Sequence, residues 1–228
     1  MYRSKNIVLM KYYALLFLVL VVACMDKSSA GSNKNRFAFM PIAARDKAFE
    51  NTIDSLMPLA GNFVKQKQFN EDIVFIADLS VHSGLPRFAV VSLKEKKILF
   101  KGLVAHGCGN AWFATTASFS NIPNSNCSSV GRYRIGGKYD GRFSKSYKLH
   151  GLDKTNSNAL ERYVVLHAYD CVPDGPAYPM YICNSRGCPM VSYKFLKLLS
   201  ACIDKSSKPM LLWIVGWKCY VQFVTIVG

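Results

Sequence analysis

Ser185-Arg186-Gly187-Cys188-Pro189 sets a thiol on a tight turn, and His167 closes an apolar run upstream of it. A helix following the turn would lend Cys188 its positive end and favour thiolate. A histidine on a neighbouring strand can take the thiol proton and return it to a leaving amine. Gly187 lets backbone amides turn closely toward a developing oxyanion. These residue types suit acyl transfer. Two other chemistries use the same side chains: a disulfide from Cys188 to Cys183, and a zinc site built from His167, Cys171, Cys183 and Cys188.

The cysteine count helps to choose. The chain has eight, and setting Cys24 aside leaves an odd number, so one thiol stays single. We expect Cys183 to pair with Cys171, closing the loop between His167 and Cys188 and leaving Cys188 reactive. A bridge over so short a loop contributes about 3 kcal/mol. No paired CxxC element supports zinc, and no metal is expected.

Other residues are candidates of a second kind. His106, ahead of Gly107-Cys108, is equally suited to fixing a turn and to lining a cleft. Ser128, Ser129 and Gly131 suit a substrate-lining loop better than chemistry. His82 and His150 read as turn or surface residues, and Trp112, Tyr133 and Trp213 as core or cleft wall.

The elements that must position these groups follow from periodicity. Residues 72–80, 86–93 and 96–106 are rich in β-branched and aromatic side chains separated by turn signals, as strands are. A long Ser/Asn/Gly passage over 118–143 predicts turns with short strands between them. Residues 161–169 form a buried strand ending near His167. A helix follows from 193, capped by Ser192, with Phe195, Leu198, Leu199 and Cys202 on its apolar side. Residues 210–216 and 219–228 finish as strands. Upstream, Phe49, Ile53, Leu56 and Met57 share one face of a helix that Pro58 should end.

The N-terminal residues read as an export signal. Arg3, Lys5 and Lys11 flank a short apolar run, the charged and hydrophobic regions of a signal peptide. Val21-Val22-Ala23-Cys24 resembles a bacterial lipobox, which would lipidate Cys24. The expected organisation is therefore a signal peptide over 1–23, a lipidated N-terminus and flexible tether over 24–40, a helical strap over 41–70, and a mainly β (α+β) domain over 71–228. Such a protein would be lipid-anchored on the periplasmic face of a membrane. The net charge is +15, with three positive charges before Cys24, leaving +12. The basic residues are scattered, with no basic helix or aromatic-interleaved groove, so nucleic acid is not the expected partner. Anionic lipid or an acidic polymer such as peptidoglycan fits better.

Five blocks carry a more specific resemblance: residues 104–107 (VAHG), 118–141 (SFSNIPNSNCSSVGRYRIGGKYDG), 149–153 (LHGLD), 164–170 (VVLHAYD) and 185–192 (SRGCPMVS). In this order, from about Asp72 to Val215, they resemble the L,D-transpeptidase catalytic domain (YkuD-like), in the branch typical of Bacteroidetes lipoproteins. The resemblance implies a β-sandwich or barrel with one or two packed helices. It implies Cys188 as nucleophile, His167 as general base, the backbone near Gly187 and Cys188 as oxyanion hole, and Ser185 as support for the turn. The implied substrate is the peptidoglycan stem peptide, joined through a thioester into cross-links between third residues. Neither cofactor nor ATP is needed, and carbapenems are expected to acylate the same thiol. Stem-peptide trimming by an L,D-carboxypeptidase, or wall binding without turnover, are the alternatives. This chain departs from the family pattern at Asn184, Arg186, Pro189-Met190 and Ala168, and Arg186 becomes the candidate ligand for a substrate carboxylate.

Overall fold

The computed structural model describes residues 41–216, except Trp112. The proposed signal peptide, the Cys24 lipobox, the tether and the final strand over 219–228 lie outside the described residues. Apart from the first turn of one helix, everything below belongs to one compact unit that begins at Asp46.

That helix, α1 (Ile42–Gln66), runs through Pro58 instead of stopping there. A proline inside a helix removes one N–H bond and crowds the carbonyl four residues back, at a cost of about 3 kcal/mol. Pro58 is exposed, so its ring and the relieved carbonyl face solvent. Beyond it, Ala60 and Val64 extend the buried stripe of Phe49, Ile53 and Leu56. Continued burial outweighs the lost bond, and the helix carries on.

Eight strands follow: β1 (Ile73–Asp78), β2 (Phe88–Ser92), β3 (Lys97–Gly102), β4 (Gly131–Gly141), β5 (Ser144–Gly151), β6 (Val165–Ala168), β7 (Met190–Val191) and β8 (Met210–Val215), with α2 (Tyr193–Ile203) between the last two. They form one sheet in the order β3-β2-β1-β8-β4-β5-β6-β7. The β1–β8 and β6–β7 pairs are parallel and the others antiparallel. Among the described residues the fold is mainly β with two packed helices, as expected.

Burial on both faces explains the apolar central strands. Along β1 and β8, Val74, Ile76, Leu211 and Trp213 pack with the stripe of α1. Their alternates Phe75, Ala77, Leu212 and Ile214 pack with Phe195, Leu196 and Leu199 of α2. The expected side of α2 needs correction: Leu198 is 39% exposed, while Leu196 and Ser200 are buried. Ser192 caps α2, its Oγ accepting from the Phe195 amide at 3.1 Å.

The turn-rich passage also resolves differently from expectation. From Gly131 it becomes one eleven-residue strand paired with β5. The Gly136-Gly137 pair does not end the strand. It falls where the β4–β5 register shifts between Ile135 and Lys138, a bulge that absorbs the glycines.

Candidate functional site

The site lies at the β6–β7 edge of the sheet. His167 of β6 is opposite Met190 of β7, and its amide donates to the Pro189 carbonyl at 3.5 Å. In a parallel pair this register sets Cys188 beside Val165, one step along the same side of the edge. The Cys188 Sγ is 3.5 Å from the Val165 amide and 3.7 Å from the Tyr163 carbonyl. Thiol and imidazole therefore share one strand edge, although no hydrogen bond joins them in the resting arrangement among the described residues.

The turn carrying Cys188 is held from three directions. Ser185 Oγ donates to the Cys188 carbonyl at 2.6 Å and accepts from the Gly187 amide at 3.1 Å. The Ser185 amide donates to the His106 carbonyl at 2.8 Å. Ser128 Oγ accepts from the Gly107 amide at 3.0 Å and donates to the Gly187 carbonyl at 3.3 Å. Gly187 has φ +118°, which L side chains rarely adopt, and a Cβ there would lie 2.8 Å from the Cys127 carbonyl oxygen. A Cβ on Gly107 would stand 2.6 Å from the Gly187 nitrogen. The segments around Gly107 and Gly187 approach backbone to backbone, and glycine at both positions permits it.

The electrostatics of the pair follow from burial and one nearby charge. β7 lies between Cys188 and the start of α2, and the charge that acts on the thiol is that of Arg162. Burial pushes the Cys188 thiol up from its ordinary range, with the Val165 amide and the Arg162 charge opposing it only in part. Burial also lowers His167, against a smaller pull from the Ala168 carbonyl. His167 Nδ1 lies 2.9 Å from that carbonyl. An Nδ1–H donated there leaves Nε2 with its lone pair, the tautomer a general base requires. Both shifts favour the neutral forms, thiol and imidazole.

His167 is buried under Phe143, whose ring stacks on it with centroids 4.0 Å apart. Phe143 sits at the tip of the β4–β5 hairpin, and Tyr169 closes in edge-on at 6.4 Å from the imidazole. Sequence reasoning missed Phe143 because only the hairpin register carries it there. Arg162 was missed as well. Its guanidinium donates to the Ser120 carbonyl at 2.8 Å, Ser129 Oγ at 3.2 Å and the Cys127 carbonyl at 2.5 Å, while its charge reaches Cys188. Arg162 holds the 120–129 loop and brings its charge to the turn that carries Cys188.

The secondary candidates are placed as follows. His106 is fully buried, with Nδ1 2.5 Å from Arg87 Nη2. Desolvation, and then the Arg87 charge, push it down to about 2 and keep it neutral. It fixes the turn and does not present its ring to a cleft. Arg87, another residue missed, is fully buried and donates to the Val104 and Val81 carbonyls at 2.7–3.0 Å. Burial lowers it to about 9, with the buried Asp78 opposing. Ser128 and Ser129 are 2% exposed, and Ser129 Oγ lies 2.6 Å from Tyr133 Oη. Both hydroxyls are spent inside the protein, not offered to substrate.

Arg186 is exposed and lines a cavity of about 850 Å³ with Ser185, Asn184, Tyr181, Phe113 and Cys108. Neither Cys188 nor His167 lines it, so Ser185 and Arg186 are the link between cavity and thiol. The expected Cys171–Cys183 disulfide is present, with Cα atoms 5.9 Å apart. It leaves Cys188 free and removes two of the four ligands a zinc site needed. Among the described residues no group of histidines, cysteines and carboxylates is arranged to hold a metal.

The family model for the L,D-transpeptidase catalytic domain matches residues 44–212. The chain belongs to that family. Solved structures similar to it include the helical cell shape determining protein Pgp2 from Campylobacter jejuni, 12% identical over 63% of this chain and 47% of that one, with TM-score 0.42. An Enterococcus faecium L,D-transpeptidase mutant is 13% identical over 64% and 50%, with TM-score 0.39. Mycobacterium tuberculosis L,D-transpeptidase 1 is 13% identical over 64% and 62%, with TM-score 0.34. The chain spans about half the length of the first of these. No curated protein matches the sequence. Within the L,D-transpeptidase domain of this chain, Asn184 is a structural residue: its Oδ1 accepts from the Ala114 amide and its Nδ2 donates to the Ala114 carbonyl, each at 3.0 Å.

Proposed function

We propose that this L,D-transpeptidase-family chain is a murein L,D-transpeptidase whose nucleophile is Cys188. The observation that carries the reading is the shared β6–β7 edge, where a free thiol on a glycine-shaped turn adjoins a buried, neutral histidine. Cys188 Sγ attacks the carbonyl of the stem peptide's third residue as His167 Nε2 takes its proton. The tetrahedral oxygen is met by backbone N–H donors at the turn. The Gly187 amide is already given to Ser185 Oγ, so the Cys188 amide is the donor best placed. Collapse expels the terminal D-alanine, whose amine receives the proton from His167. The thioester then passes to an amine of a second stem peptide, forming the cross-link and restoring the thiol. Exchange of amide for thioester and back needs no external energy source.

Arg186, at the rim of the aromatic-walled cavity, pairs with a stem-peptide carboxylate. The protein works outside the cytoplasm, tethered to a membrane through Cys24, where peptidoglycan is within reach. Incubation with purified stem tetrapeptides tests the reaction. A cross-linked dimer, absent with Cys188→Ala, is expected. A trimmed monomer as sole product would make the protein an L,D-carboxypeptidase, and no product at all would support wall binding without turnover.

A further inference from the structure

We propose that Cys108 and Cys127 form a second, redox-responsive disulfide across the wall of the Arg186 cavity. The two residues face one another in an isolated antiparallel bridge. The Gly109 amide donates to the Asn126 carbonyl at 3.2 Å and the Ser128 amide to the Gly107 carbonyl at 3.5 Å. Hydrogen bonds on both flanks make this a non-hydrogen-bonded pair, the position where opposing Cα atoms come to about 4.5 Å and side chains share one face. That separation falls inside the span of about 4.4–6.8 Å that a disulfide bridges. Both thiols are free. The Cys127 Sγ lies 3.2 Å from the Cβ position of Gly109, leaning across toward the strand of Cys108. The Cys108 Sγ is turned to the Ala111 carbonyl at 2.7 Å, so closure requires a rotation about its Cα–Cβ bond.

The oxidant is a disulfide of the glutathione class. Half-exposed Cys127 attacks it first, forming a mixed disulfide and releasing one thiol. Buried Cys108 then attacks the Cys127 sulfur, and the second thiol leaves. Two protein thiols and one oxidant disulfide become one protein disulfide and two oxidant thiols. Closure exchanges the Cys108–Ala111 contact for a covalent tie on the cavity wall. The Cys127 carbonyl is held by Arg162 and abuts Gly187, so the tie also braces the turn that carries Cys188.

The test uses the full chain equilibrated in glutathione buffers of rising oxidised fraction, then alkylated and mapped by mass. Lys101 and Arg132 bound a single tryptic peptide containing both cysteines. We expect that peptide to lose its alkylation sites together and to appear lighter by two hydrogens, while Cys188 still alkylates. The Tm should rise by about 5 °C on oxidation, and Cys127→Ser should abolish that rise. Full alkylation of Cys108 and Cys127 in buffers where Cys171–Cys183 is closed would overturn the proposal, as would a bridge from either thiol to another cysteine. Should the serine variant fail to fold, peptide mapping of the unaltered chain decides alone.

Discussion

Desolvation at half-buried Cys188 favours the thiol, and Arg162 supplies only a partial countercharge. In the proposed reaction the thiol is ionised as it attacks, with His167 as acceptor. Alkylation of Cys188 by iodoacetamide should rise with pH toward a midpoint above that of an ordinary cysteine, since desolvation raises the thiol. A midpoint near 7 would mean a preformed thiolate. Arg162 opposes that shift, so Arg162→Gln should move the midpoint higher and Arg162→Lys should restore part of it. His167→Gln should lower turnover by about 10²–10⁴-fold, the usual contribution of a positioned base, while the disulfide map stays the same. At this scale the residue types were legible in the sequence, including the Cys171–Cys183 pairing. Their environment was not. The charge that acts on Cys188 comes from Arg162, whose side chain is held by the folded 120–129 loop.

The elements show where local signals lose to packing. Pro58 is a helix terminator by propensity, yet α1 continues because the residues after it bury against the sheet. Pro58→Ala should stabilise the protein by roughly 1–3 kcal/mol in urea unfolding, restoring the missing hydrogen bond. A destabilised variant would show that the ring matters to α1. Ser192→Ala should cost about 1 kcal/mol, because the α2 cap bond to the Phe195 amide disappears. β1, β2 and β8 were readable from their β-branched runs, and α2 from its cap. Its buried side was shifted, with Leu196 inward and Leu198 outward, because the flank that is covered depends on Phe88, Leu166 and their neighbours, which no periodicity names. Phe143 was equally hidden. A hairpin tip acquires its partner only when the β5–β6 register sets Ser146 against His167.

Across the whole molecule, two buried histidines link stability to pH. His106 and His167 are both depressed by burial, His106 to about 2. A group depressed in the folded state lends stability above its unfolded value, near pH 6.5, and loses it as pH falls. Unfolding free energy should thus decline below pH 6.5 by up to about 1.4 kcal/mol per pH unit for each histidine. His106→Gln should make that slope shallower, measured by urea melts at pH 7, 6 and 5. An unchanged slope would mean His106 is not the group being titrated. The same burial that makes His106 a poor substrate ligand makes it the pin of the VAHG block, which Arg87 anchors to the sheet and Ser185 joins to the turn that carries Cys188.

The central claim is that the sulfur on the Ser185–Cys188 turn accepts an acyl group with His167 as its base. Intact-mass analysis after exposure to a carbapenem tests it most directly. The account predicts a single covalent adduct that maps to Cys188, disappears in Cys188→Ala and forms much more slowly in His167→Gln. Unmodified protein after prolonged exposure, or an adduct at Cys108, Cys127 or Cys202 with Cys188 untouched, would contradict it.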